Sequence, residues 1–184
     1  MDCIKAMLSG RMKYNVWNKL VRRRLYSDNQ IAFPDGFGMG EDMTMIQLFA
    51  FAGKVCYLPV GLYHYVQLNT GAFTKTASDV HLDQMRHNAN LTIEFIKNRY
   101  DAELEKELQF FKLNLKLPFL ITNDINSYRR WLEWYPEANS FINYNKMFSR
   151  RIRFIQQAAD KRRFWIVWLY YYVVVKVVYG VIYK

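Results

Sequence analysis

The chain has 184 residues, 52% of them hydrophobic and 17% aromatic, with a formal net charge of +10. This is too apolar for a disordered chain and long enough for one domain, with or without a helical appendage. Two cysteines, Cys3 and Cys56, exclude a disulfide scaffold and a four-cysteine zinc site, and they fit a reducing compartment. No secretory leader is read at the N-terminus, because the first apolar run is short and already carries Asp2 and Lys5.

The charge is unevenly placed. Residues 1–30 hold seven basic and two acidic groups, and residues 141–184 hold nine and one, while the middle is near neutral. Basic ends favour an anionic partner: a phosphate ligand, a nucleic acid or an acidic lipid. No zinc-finger, RNA-recognition or helix-turn-helix signature accompanies the charge, so nucleic acid is not the expected partner.

In chain order, residues 1–30 read as helix, interrupted at Ser9-Gly10, with Val16, Trp17, Leu20, Val21 and Leu25 at helical spacing and a turn at Ser27-Asp28-Asn29. Residues 31–40 are a glycine-bearing loop around Pro34-Asp35-Gly36. Glu41-Asp42 opens a helix, as carboxylates favour a helix N-terminus, and the apolar run 43–52 predicts burial on most sides, with Gly53 as its end. Val55–Val60 and Leu62–Gln67 read as two short strands, followed by a polar loop over 69–76.

From Asp79 the period changes. Asp79–Tyr100 carries a helical stripe at Leu82, Met85, Ala89, Ile93 and Ile96, and Asp101–Leu117 carries another at Leu104, Leu108, Phe111 and Leu115. Pro118 predicts a break, Asp124–Trp134 a third helix ended near Pro136, and Glu137–Asp160 a further helical stretch. The tail, Phe164–Tyr183, has a single charge, Lys176, behind the basic collar Lys161-Arg162-Arg163. As a helix it is about 30 Å long, the thickness of a hydrocarbon core. Its many Trp and Tyr residues and its central lysine favour lying on a membrane surface over spanning it, with packing on its own domain or on a partner also open.

The densest chemistry lies in residues 17–65: WNKL at 17–20, FPDGFGMGED at 33–42 and VCYLPVGLYHY at 55–65. This ordered set resembles the C-terminal half of the catalytic domain of family 2 glycosyltransferases, bacterial enzymes of the A-type fold that build polysaccharides from nucleotide sugars. The resemblance covers residues 1–75 well and 76–160 loosely. It implies an α/β fold, the C-terminal part of the A-type architecture (1–75), then a mainly helical extension (76–160); the tail's own composition makes residues 161–184 a basic aromatic membrane-associating helix.

The resemblance implies that Asp42 is the general base that deprotonates an acceptor hydroxyl, with inversion at the anomeric carbon. Glu41 then orients the acceptor or holds the loop. Lys19 and His64 face the nucleotide diphosphate, and Trp17 and Asn18 line the acceptor side. Read from the residues alone, Glu41 and Asp42 also suit a plain helix cap, Trp17 a core position and His64 a half-buried strand. The implied partners are a nucleotide-sugar donor, a glycan or lipid-linked acceptor and, through the tail, the membrane; the implied location is cytoplasmic, peripheral at the inner membrane face. The family holds a divalent cation, Mn or Mg, with an Asp-x-Asp pair in its N-terminal half. This sequence contains no Asp-x-Asp. The chain therefore reads as a truncated enzyme that binds no cation by itself and is expected to self-associate. The alternative is a non-catalytic membrane-surface protein derived from such an enzyme.

Overall fold

The computed structural model describes residues 1–35, 40–64, 66 and 79–182; the side chains of Asp42 and of residues 179–182 are not described. The central loop glycines, the polar loop after the second expected strand, part of that strand and Tyr183 lie outside the described residues. Two compact units divide the chain: residues 1–7 with 12–104, and residues 8–11 with 105–184.

The α/β expectation is not met, because the described residues contain helices and irregular segments but no strand. The reason is visible at residues 53–64. A strand must hand its N–H and C=O groups to a neighbour, and two short runs rarely hold together without a buried face. Here Tyr57 is 89% and Leu62 77% exposed, so no apolar face is covered, and Pro59 removes one donor from the middle. Helices need no such partner, since their backbone bonds close locally.

The first unit is built from α1 (Asp2–Leu8), α2 (Arg23–Asp28), α3 (Glu41–Phe51) and α4 (Asp79–Tyr100), with a 3-10 turn over Asp101–Leu104. α3 packs on α4 and α2. It buries Thr44, Met45, Ile46 and Leu48, as its nearly unbroken apolar run predicts. Its C-terminal carbonyls are met from α4. The Arg99 guanidinium lies 4.1 Å from the Phe51 ring centre and donates to the Ala50 carbonyl at 3.2 Å, which places positive charge at the negative end of the helix. α4 has the predicted bounds, and its stripe is deepest at Ala89, Ile93 and Ile96. Thr92 joins that buried face because its hydroxyl donates to the Asn88 carbonyl at 2.8 Å.

The helix expected from the Ser9-Gly10 break to residue 30 is reduced to α2. Side chains take carbonyls that a helix would use: Lys19 Nζ donates to those of Lys13 and Asn15, each at 2.6 Å, and the Tyr14 hydroxyl donates to that of Met7 at 3.0 Å. Leu20 is left fully exposed.

The second unit contains α5 (Glu105–Lys116), α6 (Ile125–Glu133), α7 (Arg150–Asp160) and α8 (Phe164–Tyr170), with 3-10 turns at Leu117–Leu120 and Pro136–Phe141. The wide turns of a π-type helix run from Tyr171 to Ile182. Its core holds Leu108, Phe111, Trp131, Ile155 and Val167, with the Phe119 and Trp134 rings edge-to-face at 4.9 Å. α6 begins at the Asp124 cap, whose carboxylate accepts from the backbone N–H of Asn126 at 3.1 Å and of Ser127 at 3.0 Å. These bonds hold the Asp124 carboxyl below its ordinary pKa. The helical stretch expected over 137–160 is interrupted at 142–149. There Asn145 Oδ1 accepts from the Met147 N–H at 3.1 Å, and Ser149 Oγ then caps α7 at Ile152.

Candidate functional site

The site implied for Asp42 and Glu41 sits where loop 31–40 meets α3. Ile31 is buried, and the Thr44 hydroxyl lies 3.5 Å from the Ala32 carbonyl and 3.4 Å from that of Gly40. Gly40 is buried under the Pro34 ring: a Cβ added there would stand 2.5 Å from Pro34 Cγ. Both ends of the loop are thereby tied to the first turn of α3, which fixes where that N-terminus points. Glu41 is exposed as the first residue of α3. The Asp42 backbone is helical, and its side chain lies outside the described residues.

The close approach at Gly40 makes a prediction. Gly40→Ala forces the rigid proline ring to move, and overpacking of this kind costs about 1–3 kcal/mol. Urea denaturation is expected to show the loss in the single variant and its recovery in Gly40→Ala combined with Pro34→Ala, which removes the ring.

The WNKL segment is an irregular loop. The Trp17 ring stacks on Tyr63 with centroids 5.1 Å apart and planes at 25°, and Trp17 keeps 41% of its surface exposed. The stack brings residues 17–19 beside the segment that carries His64, itself exposed. Asn18 is exposed and its Oδ1 accepts from Lys19 Nζ at 2.8 Å. Lys19 Nζ thus donates to three acceptors of its own loop. To meet a phosphate it would have to trade those bonds. Among the described residues no group of three or more His, Cys, Asp or Glu side chains converges as a metal requires.

The second unit holds a polar centre that the sequence pattern does not announce. Lys116, wholly buried on α5, donates from Nζ to the Trp134 carbonyl at 2.8 Å, the Tyr135 carbonyl at 3.3 Å and Asn139 Oδ1 at 2.6 Å. The ammonium also lies 4.2 Å from the Trp131 ring centre. Burial pushes its pKa down to about 8, with Glu137 and Asp160 pulling the other way. One turn earlier, Lys112 pairs with Glu137 at 2.6 Å. The two lysines grip the turn at Tyr135, whose backbone is left-handed at φ 46°. Asn139 passes the network on to Asp160, at 2.7 Å, on the wall of a polar groove of about 300 Å³. The available signal was spacing: 104, 108, 112 and 116 share one helical face, and two of the four are leucines.

No protein-family model, no curated protein and no solved structure matches the chain.

Proposed function

We propose that residues 17–65 form the acceptor side of a family 2 glycosyltransferase, with Asp42 as general base. In that reading the Asp42 carboxylate takes the proton of an acceptor sugar hydroxyl as its oxygen attacks the anomeric carbon. The nucleoside diphosphate leaves from the opposite face and the configuration inverts. Glu41 orients the acceptor, Trp17 and Asn18 receive it, and Lys19 and His64 lie toward the diphosphate.

The observation that carries the reading is the Trp17–Tyr63 stack. It joins two sequence segments, separated by more than forty residues, that the resemblance assigns to one cleft. A half-exposed indole braced from behind by a second ring is a suitable platform for the apolar face of a sugar. The fixed start of α3, beneath Pro34 and Gly40, supplies the rigid base that a positioned carboxylate needs.

The test is binding of the chain to an array of bacterial polysaccharide fragments, with Trp17→Ala beside it. Selective binding is expected, weakened about tenfold by the variant, as the loss of one aromatic contact implies. Binding that ignores Trp17, or none to any fragment, overturns the acceptor-side reading. Calorimetry with a nucleoside diphosphate and Mn²⁺ is expected to give no micromolar affinity, since the Asp-x-Asp is missing.

A further inference from the structure

The last helical stretch carries a stripe that its own unit leaves uncovered. α8 is rooted in the fold: Val167 is fully buried, and the Phe164 ring stacks on Tyr128 at 5.4 Å. On the exposed side, Trp165, Leu169, Val173 and Val177 follow one another at steps of four, and Trp168 and Tyr172 run beside them. Lys176 ends that second row, exposed, with its ammonium 5.8 Å from the Tyr171 ring centre. The collar Lys161, Arg162 and Arg163 is exposed at the start of α8. From 161 to 178 the chain has four cations and no carboxylate.

That charge pattern selects the occupant. A parallel pair of this chain would set collar beside collar, like charge on like charge, and an antiparallel pair would offer each collar no carboxylate from residues 161–178 to meet it. A bilayer with anionic headgroups offers the opposite sign to the collar. It also offers an interfacial zone suited to Trp and Tyr, and a headgroup layer that the Lys176 stem can reach. No helix among the described residues is long and apolar enough to cross a membrane. We propose that the stripe from Trp165 to Val177 docks on an anionic lipid surface and lies in its plane, with the 161–163 collar on the headgroups. The proposal stands apart from the transferase reading and uses none of its residues.

Flotation of the full chain tests it, with phosphatidylcholine vesicles containing or lacking about 30% phosphatidylglycerol. The chain is expected to bind the anionic vesicles at least about tenfold more tightly, with the difference shrinking as salt is raised. L169E/V173E, altered only at exposed positions, is expected to lose more than about tenfold in affinity, and K161E/R162E/R163E a similar amount, both with unchanged circular dichroism. Brominated lipid is expected to quench tryptophan emission in the wild type and much less in W165F/W168F. Equal binding by L169E/V173E and wild type, or no binding to either vesicle, overturns the proposal. So does a dimer in sedimentation equilibrium that L169E/V173E dissociates without any lipid affinity, which would assign the stripe to a second copy.

Discussion

Replacing Lys116 by alanine is expected to lower the unfolding free energy by about 3–5 kcal/mol, the range for breaking a buried charged network. The change strips the Trp134 and Tyr135 carbonyls and Asn139 Oδ1 of their common donor, and it leaves a void beside Trp131. Lys116→Met separates the two losses. It fills most of the void but donates nothing, so its smaller deficit, about 2–3 kcal/mol, measures the unmade hydrogen bonds.

The pH dependence has a defined sign. The unfolded chain keeps this proton up to the ordinary lysine value of 10.5, while the folded chain releases it from about 8. Between those values the unfolded state binds more protons, so stability rises with pH. Wild type is therefore expected to gain about 2 kcal/mol on Lys116→Met between pH 7 and pH 10. Urea denaturation of both proteins at several pH values checks this. A constant difference across the window would mean that burial does not disfavour the ammonium.

The second large effect belongs to Asp42. On the proposed transferase reading, Asp42→Asn is expected to reduce sugar transfer by about 10²–10⁴-fold, the contribution of a positioned general base. Donor binding is expected to persist, because the amide keeps the shape and removes only the basicity. Glu41→Gln in the same assay is expected to raise KM more than it lowers kcat, as befits a group that orients the acceptor. Transfer by Asp42→Asn within tenfold of wild type would remove it from the role of base.

Local signals were legible in the sequence. α4 runs from Asp79 to Tyr100 because its apolar stripe and acidic start need no distant partner to be effective. α6 is bracketed by Asp124, whose side chain caps the next turn, and by Pro136, which cannot continue a helix. The opening of α3 at Glu41 is legible on the same grounds. That the described residues of 55–66 form no strand was not legible, since alternation states only what the chain would do against a neighbour. Nor was the absence of helix over 16–22 legible, because the spacing of Trp17, Leu20 and Val21 gives no hint that Lys19 turns back on the carbonyls of Lys13 and Asn15.

What the sequence by itself determined is the placing of charge, the helices that carry their own caps and stripes, and the ordered segments at 17–20, 33–42 and 55–65. These depend on neighbours within a few residues, where spacing alone fixes who meets whom. Tertiary structure alone decided that Trp17 meets Tyr63, that Pro34 closes over Gly40, and that Lys116 is buried beneath the Tyr135 turn. Each joins groups that are distant in sequence or set by the path of a turn. Only the folded chain decides which carbonyl a lysine reaches or which ring an indole covers, because each such contact is a choice among many partners of equal local merit.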